Sequence, residues 1–158
     1  EMMQQVKELL DQGGRLEQSV SDEIANHRQT KGKYIPGFGH RFHKPEDPRA
    51  PRLMKLVSDA EGDKIVNGNF MRIGLEIQRQ LSKGKSTGIA MNIDGATAVI
   101  FGELGFAPPL ARGLFCLSRS VGILAHAWEQ KNQGGRNKGP TPPEFLWNYS
   151  GKNPLEEG

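Results

Sequence analysis

The chain has 158 residues, 21 basic and 18 acidic side chains, a net charge of +3 and 35% hydrophobic residues. That length is enough for one domain with a real core, and the small, scattered charge excess excludes a nucleic-acid stripe while leaving a mild attraction for anions such as carboxylates or phosphates. A single cysteine, Cys116, excludes an intrachain disulfide framework; no Cys/His cluster has metal-ligand spacing, so no structural zinc is expected, and no apolar run reaches bilayer-spanning length.

Glu1 to Gln12 reads as a helix with Met2, Met3, Val6, Leu9 and Leu10 on one side, stopped by Gly13-Gly14. A second helix carries Leu16, Val20 and Ile24 at four-residue spacing. Lys31 to His40 is a loop punctuated by Pro36, Gly37 and Gly39. Asp47-Pro48-Arg49-Ala50-Pro51 reads as the N-cap region of the next helix. Leu53, Leu56, Val57 and Ala60 line that helix, and Gly62 ends it. Another helix is predicted from about Asn69 to Leu81, with Phe70, Ile73 and Ile77 inward.

A polar connection, Lys83 to Gly88, follows. Asn92-Ile93-Asp94-Gly95 then leads into a short helix with Val99, Ile100 and Leu104, closed by Gly105. Pro108-Pro109 starts the longest apolar helix, about Leu110 to Gln130, with Leu114, Leu117, Val121, Leu124 and Trp128. It is apolar nearly all round, so it is expected to be buried, and Cys116 within it is expected to be a buried structural thiol. The tail after Gln130 is rich in Gly, Pro, Asn and Lys and holds Phe145, Trp147 and Tyr149; such a segment is expected to drape over a neighbouring subunit or domain. No alternating strand pattern is present, so the expected class is all-α.

Four places carry candidate chemistry. In Pro36-Gly37-Phe38-Gly39-His40, two glycines flank an aromatic and let the backbone approach a flat ligand. The histidine can donate to a carbonyl, and Lys44 and Arg49 follow closely. Asp94 stands at a helix start, as an N-cap or as a general base. Arg119 lies within the apolar helix and needs an anionic partner there, either an acidic side chain or a substrate carboxylate. His126 is seven residues on and is read as a structural histidine.

Taken together, these strings resemble the citrate synthase family. PGFGHRFHKPEDPRA resembles that family's Gly-aromatic-Gly-His loop followed by Asp-Pro-Arg, with His40 and Arg49 nine residues apart as in the family. NIDG resembles the segment with the catalytic aspartate, and LSRSVGILAHAWEQ resembles the helix with the carboxylate-binding arginine. The resemblance runs from Glu1 to Gly151. It implies an all-α, citrate synthase-like helical fold. Residues 1–92 would be the small, mobile, coenzyme A-binding domain, and residues 93–158 the C-terminal part of the large domain, with its long buried helix and tail.

By the same resemblance, His40 polarises the ketone of oxaloacetate, or the hydroxyl of citrate in reverse. Asp94 takes a proton from the methyl group of acetyl-CoA. Arg49 and Arg119 hold substrate carboxylates. Lys44 meets a coenzyme A phosphate, and the backbone of Pro36, Gly37, Phe38 and Gly39 cradles the adenine. Coenzyme A or acetyl-CoA is a substrate, and no covalently bound cofactor or metal is expected. The implied partners are these small molecules and a second copy of the chain, with no nucleic acid and no membrane. No signal-peptide pattern opens the chain, and a cytoplasmic enzyme is expected.

Two departures bear on activity. The family also uses an upstream histidine in a Pro-x-His-Gly-Gly loop to stabilise the enol of acetyl-CoA. The histidines here are His27, His40, His43 and His126, and none sits in such a loop. The chain is therefore expected to be a C-terminal portion that lacks full activity by itself. The family's tail also carries an arginine before Tyr-x-Gly. Here Tyr149-Ser150-Gly151 is present without it, and Arg136 or Lys138 are the nearby cations. That departure and the Asp-Gly pair of NIDG favour citryl-CoA cleavage, or a synthase-like enzyme with another acid substrate. The competing expectation is a non-catalytic module that binds coenzyme A or dimerises.

Overall fold

The computed structural model describes residues 1–41, 43 and 46–134. Among the described residues six helices follow one another: α1 Met2–Asp11, α2 Leu16–Thr30, α3 Arg49–Gly62, α4 Asn69–Ser82, α5 Ile93–Glu103 and α6 Pro108–Asn132. Among the described residues the nearest thing to a strand is one isolated antiparallel bridge, Phe38 to Met91. The all-α expectation holds. The chain divides into two units, Glu1–Cys116 and Leu117–Gly158.

The first unit is built from apolar stripes at helical spacing. Val6, Val20, Ile24, Ile73, Ile77 and Leu81 are buried in one cluster, joined by Ile35 from the loop after α2. Ala50, Val57, Met91, Ala96 and Val99 form a second cluster from α3, α5 and the segment before α5. Met3 and Phe38 pack against both, so the Gly-aromatic-Gly turn is anchored where the two clusters meet. Burial of each large aliphatic side chain contributes about 1.5–3 kcal/mol. Leu9, Leu56 and Leu104, named among the apolar residues of their helices, are exposed. The stripe on each helix is narrower than the run of apolar letters that marks it.

Helices α4 and α5 approach closely because each presents a glycine to the other. A Cβ on Gly74 would meet the Met91 methyl at 2.7 Å and Val99 at 3.0 Å, and one on Gly102 would meet the Phe70 ring at 2.5 Å. Glu103 completes the junction. Its carboxylate accepts hydrogen bonds from the amides of Gly68, Phe70 and Met71 at 3.0, 2.7 and 3.1 Å. These are the otherwise unpaired donors at the start of α4.

The second unit contains, within the described residues, the part of α6 from Leu117 onward. The expectation of a buried helix is corrected here: no residue of α6 is buried. Leu117, Val121, Leu124 and Trp128 are 63–72% exposed. An all-round apolar helix needs a surface on each side to cover it, and the described residues do not supply one. Cys116 is likewise exposed rather than a buried thiol. His126 is 85% exposed, 3.6 Å from the Glu129 carboxylate, and so is no core histidine. Among the described residues no single helix is long and apolar enough to cross a membrane.

Candidate active site

Beyond the packing of Ile35 and Phe38, hydrogen bonds fix the loop between α2 and α3. His27, buried on α2, directs Nε2 at the Tyr34 carbonyl at 3.2 Å. Beyond Pro36 the chain turns through Gly37 and Gly39, at φ +89° and +78°, values that favour glycine. The turn is then stitched to the strand-like segment before α5. Asn92 N–H donates to the Gly37 carbonyl at 2.9 Å, Gly39 N–H donates to the Ala90 carbonyl at 2.7 Å, and the Asn92 side-chain amide donates to the Gly39 carbonyl at 2.7 Å. From behind, α4 fixes the same segment: Gln78 accepts from Met91 N–H at 2.7 Å and Ser82 from Ile89 N–H at 2.9 Å.

Contact between turn and helix depends on two glycines without side chains. A Cβ on Gly37 would stand 2.8 Å from the Gly95 Cα, and one on Gly95 would collide with the Gly37 carbonyl oxygen. The N-cap of α5 is Asn92, whose side-chain oxygen accepts from the amides of Asp94 and Gly95 at 2.9 and 3.2 Å. That corrects the capping alternative for Asp94. With Asn92 in the capping role, Asp94 sits in the first turn with its carboxylate exposed. A carboxylate there is stabilised by the partial positive charge of the helix start.

Asp47 is the one fully buried charged side chain among the described residues, at 1% exposure. Its two oxygens take the Arg49 guanidinium in a two-pronged pairing, from Nε and Nη2, both at 2.9 Å. They also accept from Arg49 N–H at 3.2 Å and from Ile93 N–H at 3.0 Å. The Arg49 hydrogen bonds hold the Asp47 carboxyl far below the usual carboxylate range, against the opposing effect of burial; the Ile93 amide adds to them. Arg49 is raised above its ordinary value, first by Asp47, with a further attraction from Asp94. Arg49 and Asp94 are thus within electrostatic reach of each other.

His40 accepts the His43 backbone N–H on Nδ1 at 3.0 Å, and the two rings lie 4.5 Å apart. A neutral ring accepting on Nδ1 carries its proton on Nε2, the form able to donate to a carbonyl. His40 lines a cavity of about 210 Å³ with Gly39, His43, Asp47, Thr87 and Ala90. Asp94 lines a different and larger cleft, about 400 Å³, with Gly37, Phe38, Ala98, Phe101 and Arg112. The structure therefore brings His40, Arg49, Asp94 and the Pro36–Gly39 backbone around one junction but does not put His40 and Asp94 in one cavity.

Arg119 stands on α6 in the second unit and is exposed, not enclosed by apolar neighbours as expected. Lys44, Arg136, Lys138, Phe145, Trp147, Tyr149 and the Tyr-Ser-Gly string lie outside the described residues. Two residues at this junction carry more than the sequence suggested. Asp47 reads as part of a helix N-cap region, and Asn92 as the residue opening the Asn-Ile-Asp-Gly string. The signal for Asp47 was its place two residues before an arginine, a spacing that permits a side chain to fold back on its neighbour.

A family model described as "Citrate synthase, C-terminal domain" matches residues 1–140. Citrate synthase of Acidithiobacillus ferridurans is 29% identical over 143 residues, 89% of this chain and 34% of that protein. The structure of citryl-CoA lyase from Hydrogenobacter thermophilus superposes with a TM-score of 0.66 at 28% identity, covering 97% of this chain and 56% of that one. Citrate synthase from Thermotoga maritima superposes with a TM-score of 0.61 at 27% identity, covering 99% of this chain and 42% of that one. The chain thus spans about a third of the curated relative and about half of the matched structures.

Proposed function

Because the chain belongs to the citrate synthase family through its C-terminal domain, we propose that it contributes the base, the carbonyl-polarising histidine and a carboxylate site to an enzyme joining or separating acetyl-CoA and oxaloacetate. The observation that carries this reading is the Gly37–Gly39 turn hydrogen-bonded to Ala90 and Asn92. Through it, the loop bearing His40 and the helix start bearing Asp94 are parts of one structure.

In the synthetic direction, the Asp94 carboxylate removes a proton from the acetyl methyl group. The resulting enol carbon attacks the ketone carbon of oxaloacetate. His40 donates a hydrogen bond to the ketone oxygen as charge develops there; that oxygen ends as the hydroxyl of the product, and the proton taken by Asp94 balances the one it gains through exchange with solvent. Cleavage is the same sequence reversed. A developing oxyanion gains most from a donor already fixed in place, and the His43 amide gives His40 that fixity. Arg49 and Arg119 hold substrate carboxylates; the Pro36–Gly39 backbone and Lys44 hold coenzyme A. His40 and Asp94 line separate cavities that share the Gly37–Gly39 turn, so both act on one substrate only if that turn shifts as the cleft closes.

Residues 1–92 act as the small domain and residues 93–158 as part of the large one, with the hinge at the 92/93 seam, where the Asp47–Ile93 hydrogen bond keeps Arg49 and Asp94 together. The exposed apolar residues of α6 favour a homodimer. None of the four histidines lies in a Pro-x-His-Gly-Gly loop. The enol-stabilising donor therefore comes from outside these 158 residues, and the chain alone turns over little. The same observation favours, as the second reading, a module that binds coenzyme A or dimerises without catalysis.

The test is titration of the ¹⁵N-labelled chain with coenzyme A and with oxaloacetate. Amide shifts centred on 36–41 and 92–95 are expected. Shifts with coenzyme A alone would leave the second reading, and none at millimolar ligand would sink both. Where turnover is seen, acetyl-CoA and oxaloacetate from citryl-CoA identify a lyase, and net citrate with free coenzyme A identifies a synthase.

A further inference from the structure

We infer that Asp47 is a positioning residue that locks Arg49 to the first turn of α5, so that the carboxylate-binding cation and the base Asp94 move as one unit. The inference rests on the roles proposed above for Arg49 and Asp94. Asp47 itself touches no cleft ligand in this assignment and acts through its two neighbours.

The geometry is specific. One oxygen of Asp47 accepts from Arg49 Nε and the Arg49 amide; the other accepts from Arg49 Nη2 and the Ile93 amide. Ile93 immediately precedes Asp94, so the same oxygen that holds the guanidinium holds the peptide next to the base. The side chain is 1% exposed, so water offers no substitute partners. A two-pronged carboxylate–guanidinium pairing fixes orientation as well as distance. It leaves Arg49, at 46% side-chain exposure, with a face of its guanidinium for a ligand. A helix-start residue with a merely local role would bond to its own helix. Asp47 bonds Arg49 at the start of its own helix and also reaches 46 residues along the sequence to Ile93.

A coupling experiment decides the matter. Arg49→Gln is made with Asp47 intact and again in the Asp47→Asn background, and the amide resonances of Ile93 and Asp94 are followed. The expected result is a clear displacement with Asp47 present and little in the Asp47→Asn background, because the link is already broken there. Equal displacement in both backgrounds overturns the inference. Should Asp47→Asn fail to fold, Arg49→Lys replaces it: charge is retained, the two-pronged pairing is lost, and the Ile93 and Asp94 amides must still move or the inference falls.

Citrate affinity supplies the second readout. Asp47→Asn is expected to weaken citrate about tenfold, the order lost with a charge-assisted hydrogen bond, while coenzyme A affinity stays unchanged. A parallel loss of both ligands marks a merely structural role and overturns it, as does citrate binding equal to the unmodified chain. If the unmodified chain binds no citrate, the function proposed above fails, and the amide coupling still decides the Asp47–Arg49–Ile93 link.

Discussion

Asp94 and Asn92 show how two polar letters exchange roles within one helical turn. Either could cap α5, and the spacing of apolar residues does not choose between them. The choice is made by Gly39, whose carbonyl takes the Asn92 amide and turns the Asn92 oxygen toward the helix. The sequence thus marked the right string but could not say which side chain was spent on the backbone. Gly95 raises the same issue, since its need for a bare Cα is set by Gly37, far away in sequence. Gly95→Ala is expected to cost about 1–3 kcal/mol, as for other overpacked sites, and to displace the Gly37 amide resonance. Urea melts and a ¹⁵N spectrum check both.

Asp47 makes a prediction about acid. Its carboxyl titrates lower in the folded chain than in the unfolded one, so on acidification the unfolded chain takes up the proton first. The contribution of Asp47 is complete above about pH 4 and declines as the pH falls further. Urea unfolding at pH 7 and pH 3 should therefore show a smaller acid loss for Asp47→Asn than for the unmodified chain. Glu76, held low by Arg79, works in the same sense but is common to both proteins and drops out of the comparison.

On the scale of elements, the five-helix body was legible because its stripes repeat at three and four residues. Ile73 and Ile77 were expected inward and are fully buried. Ile73→Ala should lose about 2–5 kcal/mol, whereas Leu75→Ala, on the exposed side of α4, should stay within about 0.5 kcal/mol. Denaturant midpoints compared with each other test the assignment of faces. Helix joints were less legible. Nothing local marks Glu103 as the acceptor for the start of α4, since its partners lie 32–35 residues away. Glu103→Ala leaves three amides short of a partner and should cost at least about 1–3 kcal/mol, read by the same melts.

For the whole molecule, the apolar pattern of α6 led to the expectation of a buried helix, and its described residues are exposed instead. Hydrophobicity states that a face avoids water; it does not state which polypeptide shields it. If the proposed homodimer uses this face, replacing Val121 and Leu124 together by Glu should yield a monomer by sedimentation velocity under conditions where the unmodified chain is a dimer. A dimer surviving both substitutions would place the contact elsewhere. The strings around His40, Arg49 and Asp94 were legible because each is compact. Their assembly was not, because it depends on backbone hydrogen bonds that any residue can form.

Those backbone bonds have a use as a gauge. The Gly39 and Asn92 amides are each tied across the junction between the loop and α5, and neither bond belongs to a helix. Deuterium can enter at these two positions only when the junction parts, while amides in the middle of α4 wait for wider unfolding. The ratio of the two exchange rates would report how often the chain breathes at this seam. A ligand that bridges the seam should slow Gly39 and Asn92 together and leave α4 untouched.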